Sequence, residues 1–127
     1  MEPILEEKMT QPHVLNSDKS FIESYRWIEE KVHQLAVEKG WWEQDRNNGE
    51  AIALMHSELS EALEALRKGN PSDSKLPEFS SVEVELADVI IRIMDMSANR
   101  KWRVAEALVA KHQFNKSRPH KHGGKKF

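Results

Sequence analysis

The segment from Val84 to Met96, VELADVIIRIMDM, limits what this chain can fold into more than any other. As a helix it is apolar around most of its circumference, the mark of an element covered on several sides. Yet it holds Glu85, Asp88 and Asp95, with Arg92 among them. At about 100° per residue these four fall within roughly 80° of one another, in one polar seam between Val, Leu, Ile, Ala and Met positions. A sequence that places three acids on an otherwise apolar helix has to say what neutralises them.

The preceding helical pattern carries a matching seam. Leu54, Glu58, Glu61 and Ala65 recur at i, i+4, i+7 and i+11, so Glu58 and Glu61 are neighbours on one face, and Ile52, Met55, Leu59, Ala62 and Leu66 form the adjoining apolar stripe. Between the two patterns lies a ten-residue loop, Asn70 to Phe79, rich in Pro, Ser and Asp. So short a connection favours antiparallel neighbours, which brings both acid seams to one level. Two carboxylates about 6 Å apart repel by roughly 3 kcal/mol at an effective dielectric near 20. Burying each alone costs several kcal/mol more, against a whole-domain stability of about 5–15 kcal/mol. Either the acidic face is open to water or cations neutralise it, and Arg92 can serve only one or two carboxylates. Glu58 and Glu61 by themselves read most simply as solvent-facing acids; the second acidic helix opposite them is what that reading leaves unexplained. An all-oxygen set with no Cys and no His in phase is chemistry for Mg²⁺ or Mn²⁺, and Mg²⁺ is commonly shared with substrate phosphates. Asp95 is read as the partner of Arg92.

Elsewhere the pattern is helical throughout. Residues 1–17 form a loose arm with two prolines; helices are expected at about 18–39, 49–68, 80–99 and 102–116. The first has one stripe, Phe21, Ile22, Tyr25, Ile28, Val32, Leu35 and Ala36, expected to be buried, and stops at Gly40. The second ends on Arg67, Lys68, Gly69 and Pro71, cations and a left-handed cap followed by a residue that cannot continue the helix. Ser80 with Glu83 has the form of a capping box. No strand and no repeat is evident. The expected fold is all-α, a four-main-helix bundle over residues 18–116, with a basic tail over 117–127.

The chain has 127 residues and no cysteine, so a disulfide framework and thiolate metal ligation are both excluded. No apolar run approaches the roughly 20 residues that span a bilayer, and the N-terminus lacks the order of a signal peptide, so a cytoplasmic protein with no membrane partner is expected. Net charge is −2 overall, but six of the 19 Lys and Arg, and no acid, lie from Lys111 onward, leaving −8 on the preceding residues. Basic tails of this kind bind nucleic acid or are simply solvated.

The pattern Glu58-x-x-Glu61 followed by Glu85-x-x-Asp88 on the next helix resembles the signature of the MazG-like, all-α nucleoside triphosphate pyrophosphohydrolases, which include the dCTP pyrophosphatases. The likeness covers roughly residues 20–118. It implies that Glu58, Glu61, Glu85 and Asp88 hold Mg²⁺, with Mn²⁺ a substitute. It further implies that a bound (d)NTP is cleaved to (d)NMP and pyrophosphate, a house-cleaning activity on deoxynucleotides; either Glu58 or Glu61, whichever is not fully used in coordination, is expected to accept the proton of the attacking water. Two further segments match. Val32 to Gln44 looks like the segment whose histidine and tryptophan meet the base, putting His33 and Trp42 there, with Trp41 as the neighbouring alternative; an indole at a helix-to-loop transition offers a base a face worth about 1–3 kcal/mol. Lys111-x-x-x-Asn115 resembles the family's phosphate-binding Lys and Asn, to which Arg92, Arg118 and Lys125 add cations. The chain departs from the dCTP type at Arg92 and Lys68, where that type carries aromatics, which leaves base preference open. A homodimer or homotetramer is implied.

Two other readings compete. A di-iron carboxylate bundle needs Glu-x-x-His on two helices, and only Glu30-x-x-His33 fits. A helical interaction or nucleic-acid-binding module would use the basic tail but gives the acids no task, so nucleic acid is not the expected partner.

Overall fold

The computed structural model describes residues 16–127; almost all of the expected N-terminal arm, residues 1–15, lies outside them. The described residues are all-α. Four long helices, α1 (Asn16–Glu38), α2 (Asn48–Arg67), α3 (Ser81–Arg100) and α4 (Val104–Lys116), are followed by a short turn, α5 (Lys121–Gly124). The only pairing of strand type among the described residues is an isolated bridge between Ser72 and Ser80. Every long helix falls within two residues of its expected bounds.

The punctuation explains why. Gly40 (φ 87°) and Gly69 (φ 86°) adopt the left-handed conformation that ends α1 and α2, a conformation an L side chain enters only at a cost. Asn47, whose side chain accepts from the Glu50 N–H at 3.1 Å, caps α2, and α2 therefore begins one residue before the expected start. At α3 the capping box is complete: the Ser80 backbone N–H donates to Glu83 Oε1 at 3.0 Å and the Ser80 hydroxyl accepts from the Glu83 N–H. Ser80→Ala is expected to lower stability by about 1 kcal/mol, read as a lower urea midpoint at unchanged slope.

Two compact units are present. Residues 28–102 hold the second half of α1 with α2 and α3. The α2/α3 pair is antiparallel: Arg100 at the end of α3 reaches Asn48 at the start of α2, Arg92 reaches Glu58 at mid-height, and Asn70 after α2 accepts from the Val82 N–H at the start of α3. Small residues make the close approach, with Ala51, Ala62 and Ala65 buried on α2 and Val89, Met94, Met96 and Ser97 buried on α3. Among the described residues the other unit joins 16–27 with 103–127; in it Ala105 and Val109 of α4 are buried and Arg26 pairs with Glu106.

One expectation about the core is overturned. None of the 23 residues of α1 is buried, and Phe21, Ile28 and Leu35 of its apolar stripe are exposed. The period of the stripe is helical as read, but a stripe shows only that a helix has a side to cover, not that its own chain covers it.

Candidate functional site

Antiparallel packing of α2 on α3 gathers one carboxylate from the first with two from the second. Glu58, Glu85 and Asp88 each offer an oxygen, and those oxygens lie within 4.8 Å of one another. All three are half-buried. Partial burial, then the negative charges of Glu61 and Asp88, then a hydrogen bond to Glu58 raise the Glu85 carboxyl above its ordinary range. Asp88 is raised by burial and by the charge of Glu58, against which Arg92 pulls it down. Glu61 is exposed and stands outside the three-oxygen group, acting on it through its charge. Asp73 and Lys75 of the α2–α3 loop add opposite charges beside Asp88; nothing in their spacing had marked them, because a loop has no period.

Arg92 supplies the nearest counter-charge. Its Nε donates to Glu58 Oε1 at 3.0 Å, and its Nη2 lies 2.9 Å from the same oxygen as an ion pair. The expected pairing of Arg92 with Asp95 does not form. Asp95 is 7% exposed and pairs away from α2: Oδ1 meets His33 Nδ1 at 2.8 Å and accepts from Trp42 Nε1 at 2.9 Å, while Oδ2 accepts from Arg46 Nη1 at 3.4 Å. Arg92 and Asp95 share a seam on the helical wheel, but Arg92 reaches across to α2 and Asp95 is turned to α1 and its following loop.

The base-contacting candidates separate for the same reason. Trp42 stands edge-on to His33 at 5.5 Å between ring centres, with the guanidinium of Arg46 at 4.8 Å from its own ring and that of Arg100 at 5.7 Å. Arg100 also donates to Asn48, Asn99 and the Arg46 carbonyl, tying the 45–48 loop to the end of α3. Trp41, by contrast, is 63% exposed and lines a cavity of about 370 Å³. One wall of that cavity is apolar, from Val32, Leu35 and Ala36 of α1 with Met55 of α2 and Ile91 of α3; Glu58, Asp88 and Arg92 line it too, as do Arg46 and Asp95. It has the size and the mix of apolar wall and few polar groups of a small-molecule site. Arg46 and Arg100 are contributions the sequence reading missed.

The phosphate-contacting candidates of the C-terminal segment lie in the other unit. Lys111 of α4 and Arg118 just after it both approach the Phe114 ring, at 4.8 and 5.7 Å, and Asn115 is exposed one turn beyond Lys111. Lys125 follows the left-handed turn of α5, its N–H donating to the Lys121 carbonyl at 2.9 Å.

The donor set of the acidic group is all carboxylate oxygen, and burial, followed by the charge of neighbouring acids, raises the carboxyls of Glu85 and Asp88. Both properties fit a hard divalent cation held by Glu58, Glu85 and Asp88. The fold and site thus define an all-α protein with a three-carboxylate group opening on a part-apolar cavity. Set beside protein-family models, curated proteins and solved structures, the chain matches none. No helix among the described residues is long and apolar enough to cross a membrane.

Raised carboxyls fix the sign of a pH effect. The folded state holds protons that the unfolded state has released, so these two groups favour folding at low pH and that contribution is lost as pH rises from about 4 through the raised values. Glu83 acts oppositely, its carboxyl lowered by the Ser80 backbone and hydroxyl hydrogen bonds, so total stability mixes both signs. Comparison with Glu85→Gln isolates the cluster. The variant is expected to melt above the parent at pH 7 and together with it at pH 4.

Proposed function

We propose that this chain is a Mg²⁺-dependent nucleoside triphosphate pyrophosphohydrolase of the MazG-like type. Its product pair would be a nucleoside monophosphate and pyrophosphate, and its substrates deoxynucleotides. The observation that carries the reading is that Glu58 and Asp88, two members of the three-oxygen group, line the part-apolar cavity together with Arg92. An ester with a flat apolar end and a polyanionic end suits such a site better than either a free sugar or a peptide does.

In this reading Glu58, Glu85 and Asp88 hold the cation, which would neutralise phosphate charge and hold it for in-line attack. Glu61, outside the three-oxygen group and open to solvent, is left to take the proton of the attacking water. The apolar wall from α1 covers the nucleoside, and Trp41 offers it a face. Asp95, His33 and Trp42 keep the loop that carries Trp41 and Arg46 in place. Lys111, Asn115, Arg118 and Lys125 remain proposed phosphate contacts.

The test is a panel of dNTPs with Mg²⁺, read as release of monophosphate and pyrophosphate. Turnover of at least one member, lost in Glu61→Gln without loss of Mn²⁺ affinity, is expected. Failure to hydrolyse any of them, or full activity in Glu61→Gln, would refute the reading.

Homodimers or homotetramers belong to the same proposal. Ile52, Leu59, Leu63 and Leu66 share one face of α2 and all are exposed, Leu63 by 52% and Leu66 by 54%. Four large apolar side chains exposed on one helix face are the kind of patch that a second subunit covers. Sedimentation velocity is expected to give a dimer or tetramer, and Leu63→Lys with Leu66→Lys to move it toward monomer; a monomeric parent at micromolar concentration would count against it.

A further inference from the structure

Arg92 stands in an odd place for a phosphate ligand. Its Nε donates to Glu58 Oε1 and its Nη2 forms an ion pair with that same oxygen, and Glu58 belongs to the three-oxygen group. Arg92 also lines the cavity, and its side chain is 34% exposed against 18% for that of Glu58. The guanidinium is therefore held at the rim of the site by one hydrogen bond and one ion-pair contact to a single carboxylate oxygen. A cation of higher charge density that takes Glu58 as a ligand competes for the oxygen Arg92 is using.

We infer that Arg92 is an exchangeable counter-cation: it neutralises Glu58 while the three-oxygen group lacks a divalent ion, is displaced from that carboxylate when the ion binds, and then presents its guanidinium to the cavity. This rests on the reading of Glu58, Glu85 and Asp88 as cation ligands. The chemistry is ordinary ligand substitution, with one N–H donation and one ion-pair contact given up and one metal–oxygen contact made. It makes the two halves of the site interdependent. A planar guanidinium that donates in a fork suits phosphate oxygens, and it becomes free for an anion only after the cation has taken its place. Coupling of this kind is reciprocal, so an anion that holds Arg92 also makes Glu58 a better metal ligand.

Direct evidence would come from the Arg92 Nε–H resonance in protein labelled with ¹⁵N-arginine, assigned by its loss in Arg92→Met. Mg²⁺ titration is expected to move that resonance and speed its exchange with water, and Glu58→Gln without Mg²⁺ to produce a similar shift. Mn²⁺ affinity, measured by electron paramagnetic resonance, separates exchange from simple charge repulsion. Arg92→Met is expected to tighten Mn²⁺ binding about tenfold, or 1.4 kcal/mol, in the parent background and by less than twofold in a Glu58→Gln background. Equal tightening in both backgrounds, or an Nε–H resonance indifferent to bound Mg²⁺, would overturn the exchange while leaving the cation site standing. Absence of Mg²⁺ and Mn²⁺ binding altogether would overturn both.

Discussion

Glu58→Gln is expected to cut pyrophosphate release from a dNTP by roughly 10²–10³-fold at saturating Mg²⁺, the size of effect that follows loss of one preorganised electrostatic group. The same substitution is expected to leave the melting temperature unchanged or higher. Glu58 lies among Glu85 and Asp88, whose carboxyls its charge pushes up, so a neutral amide removes repulsion while keeping nearly the same shape. Its charged pairing with Arg92 is lost, which costs little because the Arg92 side chain is 34% exposed and water takes the place of the carboxylate. An ordinary structural carboxylate would behave the other way, losing stability with its salt bridge. Activity and stability moving in opposite directions is the signature of a site kept for function at a cost in folding, and a Glu58→Gln protein that melts lower and hydrolyses as fast as its parent would contradict it.

Asp95→Ala is expected to lower stability by about 3 kcal/mol, or on the order of 10 °C in Tm. Asp95 is nearly buried and serves three partners at once, His33 at 2.8 Å, Trp42 at 2.9 Å and Arg46 at 3.4 Å. Removing it leaves the Trp42 indole N–H and part of the Arg46 guanidinium without an acceptor in a half-buried setting. Both partners keep some access to water, which holds the cost below that of a fully enclosed pair. Asp95→Asn, which retains an oxygen acceptor but no charge, is expected to cost about half as much. Urea unfolding followed by tryptophan fluorescence reads both, and a change of less than 1 kcal/mol in Asp95→Ala would show that the network is incidental. The expected effect on the dNTP reaction is a rise in KM with kcat little altered, because Trp41 and Arg46 line the cavity on the loop that this network holds.

Much of the architecture was legible in the sequence, and for local reasons. Gly40 and Gly69 end helices because their backbones turn left-handed there, and Ser80 with Glu83 starts one because their groups reach each other across three residues. Caps act within one turn, so the sequence contains their whole cause. The acid spacing was legible in the same way: positions three and four apart share a helix face in any surroundings.

What the sequence left open were the partners across elements. Arg92 and Asp95 occupy one seam, yet Arg92 meets Glu58 on α2 and Asp95 meets His33 on α1 with Trp42 and Arg46 beyond it. Trp41 and Trp42 are adjacent and chemically alike, yet one lines the cavity and the other is bound to a buried acid. Those outcomes depend on the rotation and axial level at which α2 meets α3, set by the buried alanines of one and the Val and Met of the other, and on the path of a loop that has no period to read. By itself the sequence determined where the helices run, how they begin and end, and that acids would face one another. The tertiary structure alone decided which charge answers which, because that is fixed by side chains converging from segments far apart along the chain, a distance over which helical periodicity carries no information.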